Sequence, residues 1–343
     1  MKALLLSDLH IEAKTRWSKT DTNEDLDFLI KQLEAMPKEA FDVDCIIVSG
    51  DTTDRPRENA TVISNLQRLF KVVNPFDKPV YVINGNHDAG IDNYLTAICN
   101  CHRVTDTAVN INDRTVAFLD YTNNLDKVRA FLQQKEPDIF VIHQSSQPFI
   151  SIDIEDLPVL KVEDYPTHQI CIVGDTHIPA VYTDEDGRFI ISPGSLYPHN
   201  KTEVLHSANY LMILDTANPG DPVKAIPLKK RTGIALESSK DLESINLSVE
   251  KQLASESPLK PIIWLPDYAK EQYLHDDRAV FVFYNTYQDS KGSVTDIEDT
   301  TDVDQILATL ISQLYADDKI KQSTYALVKQ YIDTDDPKDV VLD

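Results

Sequence analysis

The chain of 343 residues is long for one ordinary domain and suits two, at roughly 100–200 residues per domain. Its 42% apolar and 26% charged residues exclude a mainly disordered, collagenous or fibrous protein, and no run approaches the roughly 18–20 apolar residues of a membrane span. A net charge of −23 excludes binding of nucleic acid through the bulk field, so a phosphate-bearing ligand needs local positive charge, bound metal ions or a partner protein.

The start, Met1-Lys2-Ala3-Leu4-Leu5-Leu6, is too short for a signal-peptide core and reads as a first strand. Four-residue apolar runs then recur at Ala3–Leu6, Cys45–Val48, Val80–Ile83, Val116–Leu119, Ile139–Ile142 and Ile170–Val173. Continuous rather than alternating apolarity predicts strands buried on both faces. Helices are predicted between them at Leu26–Met36, Val62–Val73, Tyr94–Ile98 and Leu125–Leu132, which gives an α/β domain with a largely parallel sheet over residues 1–230. Phe189–Ile191 and Tyr210–Leu214 read as later strands of a second sheet. Residues 231–343 read as a smaller α+β domain: a linker or exposed helix over Glu237–Pro261, a strand at Ala279–Tyr284, and an amphipathic helix from Val303 to Leu314 behind the acidic stretch Asp296–Asp304. Four cysteines make no disulfide framework, and the expected setting is a reducing cytoplasm.

The chemistry follows the strands. The first runs into Asp8-Leu9-His10, the second into Gly50-Asp51-Thr52-Thr53-Asp54, the third into Gly85-Asn86-His87-Asp88. Ile139–Ile142 runs into His143, and Ile170–Val173 into Gly174-Asp175-Thr176-His177. Ligands of open α/β sheets bind at the carboxyl ends of the strands, so five strand ends deliver carboxylate, amide and imidazole groups to one edge. That donor set, without thiolate, suits Mn²⁺, Fe²⁺ or Zn²⁺, and its size suits two ions sharing a carboxylate. His102, His168, His199, His206 and His275 match no motif and read as surface or structural residues.

The ordered set D-x-H, G-D-x-x-D, G-N-H-D, H and G-x-x-H resembles the calcineurin-like metallophosphoesterase superfamily over roughly residues 1–200. The resemblance implies a four-layer α-β-β-α sandwich and two divalent metal ions. It assigns Asp8, His10 and His177 to the first metal, Asp51 to both, and Asn86, His143 and Asp175 to the second. His87 would be the catalytic histidine and Asp88 the residue that orients it. Where the superfamily usually has G-H-x-H, this chain has Asp175 for the first histidine, which shifts the expected preference toward Mn²⁺ or Mg²⁺ and away from Zn²⁺.

Within the superfamily the layout is most similar to the SbcD-type nucleases, in which a capping domain and a segment docking an SMC-like ATPase follow the catalytic domain. Ser192-Pro193-Gly194-Ser195-Leu196 and Tyr210–Asp215 are similar to that family's closing strands, although the first also reads as a tight turn. Lys14, Arg16 and Lys19 with Trp17 follow the first metal loop, and Arg55 and Arg57 the second, a local basic rim for a polyanion. The expectation is a DNA exonuclease or endonuclease working with an SbcC-like ATPase, with a homodimer possible, no membrane, and a cytoplasmic location in a bacterium or a phage-infected cell. Val303–Leu314 and Tyr325–Tyr331 are the expected docking surface. Gly50–Asp54 is as similar to the G-D-x-T-D of cyclic-nucleotide phosphodiesterases, so a small-molecule phosphodiesterase stands as the second reading. A metal-holding scaffold is the third, opposed by the intact Asn86 and His87.

Overall fold

The computed structural model describes residues 1–15, 22–54, 60–88, 100–149, 159–206, 208–218, 220–236, 240–255, 259–284, 286–288 and 294–296. The chain forms two compact units. The first comprises Met1–Ile234, Gln252–Ile262 and Arg278–Val280, and the second Ala235–Lys251, Ile263–Asp277 and Phe281–Asp343.

The first unit begins with β1 (Lys2–Leu6), α1 (Glu24–Glu34), β2 (Cys45–Ser49), α2 (Ala60–Val73), β3 (Val80–Ile83) and β4 (Cys101–Arg103). It continues through β5 (Thr107–Ile111), β6 (Arg114–Leu119), α3 (Leu125–Leu132), β7 (Ile139–His143) and β8 (Ile170–Gly174). Then come β9 (Ala180–Thr183), β10 (Phe189–Ser192), α4 (Lys201–His206), β11 (Asn209–Asp215) and β12 (Val223–Leu228).

Two six-stranded sheets result, ordered β12-β11-β1-β2-β3-β4 and β5-β6-β7-β8-β10-β9. In the first, β1 to β4 are parallel and β11 runs antiparallel to β1. In the second, β6, β7, β8 and β10 are parallel, while β5 and β9 are antiparallel edges.

Strand alternation sorts the side chains into layers. Leu4 and Leu6 of β1 join Leu26 and Leu29 of α1 and Leu66 and Leu69 of α2. Ala3 and Leu5 point the other way, into a seam with Phe118, Val141 and Ile172 of the second sheet. The far face of that sheet, through Ala117, Phe140 and Val173, packs on Val128, Phe131 and Leu132 of α3. The four-layer α-β-β-α sandwich is therefore present, and the strands are continuously apolar because both faces are covered.

Local signals agree with this packing. Asn23 caps α1, its side chain accepting from Leu26 N at 3.0 Å, and Leu26, Leu29, Ile30 and Leu33 form the buried stripe. Arg231 is buried and closes the unit by donating to Asp25 Oδ1 (2.9 Å), Glu24 Oε2 (3.1 Å) and the Lys260 carbonyl (2.7 Å).

One strand is placed differently from its expectation. Tyr210–Leu214, expected in the second sheet, forms β11 beside β1 in the first, with Leu4 opposite Ile213. An antiparallel return costs no crossover helix, so the vacant edge of β1 was open to it.

The second unit holds α5 (Leu242–Leu253), which buries Ile245 and Val249, and α6 (Lys270–Tyr273). The strands β13 (Gly233–Ala235), β14 (Ile262–Pro266) and β15 (Val280–Tyr284) form a three-stranded sheet, and β16 (Thr286–Gln288) pairs with β17 (Val294–Asp296). The helix within Glu237–Pro261 is thus anchored by two buried side chains. Tyr94–Ile98, Val303–Leu314 and Tyr325–Tyr331 lie outside the described residues. No helix among the described residues is long and apolar enough to cross a membrane.

Candidate metal centre

Parallel strands put the loops after β1, β2, β3, β7 and β8 at one edge of the sandwich, and hydrogen bonds between loops fix them. Asp8 N donates to Gly50 O (3.2 Å), His10 N to Asp51 O (2.9 Å) and Ile11 N to Thr52 O (3.1 Å). Asp175 N donates to Asp8 Oδ1 at 3.0 Å and so joins the loops of the two sheets.

The backbone is bent hard here. Asp8, His10, Asp51, Asp175 and His177 all have positive φ (48°, 38°, 50°, 75° and 56°), five of the nine such non-glycine residues among those described. Each left-handed residue costs about 1–3 kcal/mol and persists only where its surroundings hold it, and such strain gathers at functional sites. Gly85 and Gly174 are needed for close approach. A Cβ on Gly85 would lie 2.0 Å from Asp51 Oδ1, and one on Gly174 2.2 Å from Ser49 O and 2.4 Å from His143 Nδ1.

The expected metal ligands converge in two overlapping groups. In the first, His10 Nε2 lies 3.2 Å from His177 Nε2 and 3.4 Å from Asp51 Oδ2, and His177 Nε2 lies 3.7 Å from Asp8 Oδ1. In the second, His143 Nε2 lies 3.1 Å from Asn86 Oδ1, 3.3 Å from Asp51 Oδ2 and 3.8 Å from Asp175 Oδ1. The same oxygen, Asp51 Oδ2, belongs to both.

This donor set fits divalent cations. His143 donates from Nδ1 to Ser49 O (2.7 Å) and His177 from Nδ1 to Glu203 Oε1 (2.7 Å), so each neutral ring aims an Nε2 lone pair inward. The His143 lone pair then faces oxygens that only accept hydrogen bonds, an arrangement that repels unless positive charge sits among them. Ligand bonds of about 2.0–2.2 Å place neighbouring donors about 3.0–3.5 Å apart, the range of the shorter spacings here.

Metal-free electrostatics express the same demand. Burial alone would depress His143, but Asp51, Asp8 and Asp175 outweigh it and hold its pKa well above the ordinary histidine value. Burial likewise opposes the shift at His177, yet Glu203 and Asp8 push it up to about 10. Burial would raise Asp51, but His143 and His10 hold it below the usual carboxylate range. Asp8, dominated by burial, is raised. His10 is lowered by burial and by its neighbours His177 and His199, so it stays neutral and able to ligate.

His87 joins neither group and instead clusters with His10 and Asp54. Its backbone N–H donates to Asp51 Oδ1 (2.9 Å), its ring meets His10 edge-on at 4.7 Å between centroids, and its Nδ1 donates to Asp54 O (2.8 Å). Asp88, expected to orient that ring, is placed otherwise. Its carboxylate accepts from the backbone N–H groups of Thr52 (3.0 Å), Thr53 (3.1 Å) and Gly85 (3.2 Å). Three backbone donors inside the turn outcompete a side chain that leaves in another direction, so Asp88 ties two metal loops together and the Asp54 carbonyl orients His87. The carboxylate of Asp54 faces His10 Nδ1 at 3.7 Å.

Several residues here carried no sequence signal. Glu203, buried on α4, bonds His177. Ser7 Oγ donates to Asp8 Oδ2 (2.6 Å), and Ser145 Oγ donates to Asp175 Oδ2. His199, read as surface or structural, is buried with its ring centroid 5.0 Å from that of His10. The Gly194-Ser195 turn backs the last loop, Ser195 N donating to His177 O at 3.1 Å. Arg16, Trp17, Lys19, Arg55 and Arg57 lie outside the described residues.

Known proteins resemble this chain to different depths. The DNA double-strand break repair protein Mre11 of Archaeoglobus fulgidus is 22% identical over 242 residues, which cover 61% of this chain and 53% of that protein, so the chain spans about half the relative's length. Among solved structures, TT1561 of Thermus thermophilus is similar over 66% of this chain and 98% of its own, at 15% identity and a TM-score of 0.39. A dimetal phosphatase from Danio rerio is similar over 66% of this chain and 97% of its own, at 12% identity and a TM-score of 0.37. Residues 1–218 match the calcineurin-like phosphoesterase superfamily domain, and the chain belongs to that superfamily of metal-dependent phosphoester hydrolases.

Proposed function

We propose that the chain is a two-metal phosphodiesterase acting on DNA, an SbcD-type nuclease that uses Mn²⁺. The observation that carries the two-metal part is Asp51 Oδ2, which lies 3.4 Å from His10 Nε2 on one side and 3.3 Å from His143 Nε2 on the other. Asp8, His10, Asp51 and His177 would hold one ion, and Asp51, Asn86, His143 and Asp175 the other. Two ions so held supply charge stabilisation at the phosphoryl oxygens and an activated water for in-line attack. Oxygen-rich ligation with no thiolate, and a carboxylate at Asp175, support Mn²⁺.

The protein's own contribution centres on His87. Nδ1 is fixed on the Asp54 carbonyl, so a protonated ring carries its second proton on Nε2. That atom is the one left to protonate the leaving oxygen of a bound phosphodiester. Asn86 is exposed and His87 half-buried, so the centre opens to solvent at these two residues. DNA as substrate is supported by the relation to Mre11, a repair protein by name, and by the basic residues Lys14, Arg16, Arg55 and Arg57 that follow the metal loops. An SMC-type ATPase partner is supported by the SbcD resemblance alone. The second reading, a cyclic-nucleotide phosphodiesterase, is supported by the net charge of −23, which disfavours a long polyanion.

Purified full-length protein with Mn²⁺, Mg²⁺ or Zn²⁺ in parallel, offered labelled duplex DNA, single-stranded DNA and cyclic AMP, tests the proposal. Release of nucleotides from DNA, abolished by chelator and greatest with Mn²⁺, is the expected result. Turnover of cyclic AMP with DNA left intact would establish the second reading.

A further inference from the structure

We infer that Glu203 is a positioning residue that makes the first ion site fill before the second, an inference resting on the two-metal reading above. The two donor groups match in the number of carboxylates they offer. Asp8 and Asp51 give the first group two carboxylates, and Asp51 and Asp175 give the second group two. Their neutral donors differ, His10 and His177 in the first against Asn86 and His143 in the second, and so does the residue behind the inward-facing histidine. His143 donates from Nδ1 to a neutral acceptor, the Ser49 carbonyl, whereas His177 donates to the carboxylate of Glu203 at the same distance of 2.7 Å.

A carboxylate behind a ligating imidazole fixes its tautomer and makes the opposite nitrogen more basic, and losing such a partner typically weakens metal binding 10–100-fold. Glu203 is built for that task and has little freedom to do another. Its side chain is buried, and it accepts from His177 Nδ1, from His199 N at 2.9 Å and from Asn200 Nδ2. Its backbone is fixed as well. Glu203 N donates to Asn200 Oδ1 at 2.9 Å, and the Lys230 ammonium donates to the carbonyls of Glu203 and Val204. The carboxylate therefore reaches the metal centre from α4, a short helix that supplies no direct ligand. Among the assigned ligands, Glu203 bonds His177 of the first group and none of the second.

The test is a Mn²⁺ titration of chelator-stripped full-length protein, followed by the electron paramagnetic resonance signal of free Mn²⁺. Wild-type protein should bind two ions in two resolved classes. Glu203→Gln should weaken the tighter class about 10–100-fold, so that the two classes merge, and Glu203→Asp should restore part of the separation. Adding Glu203→Gln to His177→Ala should change Mn²⁺ binding no further, because Glu203 acts through His177. Circular dichroism of the stripped variants separates this from misfolding, since a purely structural role lowers the melting temperature without separating Gln from Asp in metal binding. Two ions bound with unchanged affinities in Glu203→Gln, or an equal loss in the His177→Ala background, would overturn the inference alone. Wild-type protein that takes up fewer than two ions would overturn the two-metal reading and this inference with it.

Discussion

The two halves of the metal centre are supported by different materials. Around His143 the support is main chain: the Ser49 carbonyl takes Nδ1, Gly174 leaves no room for a Cβ, and the ring is wholly buried. Around His177 the support is a side chain, Glu203, and the ring is 24% exposed. Main-chain support cannot be removed by changing one side chain, but any atom added nearby collides with it. Side-chain support is the reverse: tolerant of crowding and sensitive to charge. The His177 half can thus be tuned electrostatically and the His143 half broken sterically.

The largest expected effect ignores the distinction. Asp51→Asn removes the oxygen charge common to both halves, and turnover should fall to background with both ions lost, read by elemental analysis beside a rate assay. Retention of two ions and near-normal turnover would leave the shared-ligand geometry without a role. His87→Ala belongs to neither half. Its rate should drop roughly 10²–10⁴-fold while metal content holds, and a variant purified without its ions would mean that His87 supports the centre rather than the leaving group.

Gly174→Ala attacks the main-chain half without altering a ligand. The new Cβ meets Ser49 O and His143 Nδ1 at 2.2 and 2.4 Å, so the variant should keep one ion, lose the other, and be destabilised by roughly 1–3 kcal/mol in urea unfolding. Unchanged metal stoichiometry would show that the loop yields easily. The smallest effect is expected at Ser145→Ala, which frees Asp175 Oδ2 from its hydroxyl donor. Loss of one hydrogen bond to a charged group, about 1.5–3 kcal/mol when buried and less at a partly exposed carboxylate, should appear as a several-fold change in Mn²⁺ affinity of the weaker site. No change at all would place Asp175 outside the ligand set.

Much of this centre was legible because strand and ligand are adjacent in sequence. Val48, Ile83 and Val173 are followed within three residues by Asp51, Asn86 and Asp175, so finding the apolar run finds the ligand. Pairings across long separations were not legible. β11 lies about two hundred residues from β1 and carries nothing that names its neighbour. Glu203 is 26 residues from His177 and looks like any acidic residue of a short helix. Adjacency to His87 suggests that Asp88 contacts its ring, whereas the turn directs its carboxylate back to the amides of Thr52 and Thr53. The left-handed conformations of five ligand residues are likewise imposed by neighbouring loops and invisible in residue type, since Asp and His give far less warning than Gly.

The division of ligands between sheets has a mechanical consequence. Asp8, Asp51 and Asn86 follow strands of one sheet, while His143 ends a strand of the other and Asp175 and His177 follow its neighbour. Bound ions would therefore rivet the sandwich across its seam, at the rim where these strands end. A ligand present at a thousand times its dissociation constant adds about 4 kcal/mol to the folded state. Here that energy would oppose one particular motion, the sliding of sheet on sheet. Seam residues such as Phe118 and Val141 then become part of the calibration of the centre. A methyl group lost from the seam lets the sheets settle, and the rivet feels it before the fold does.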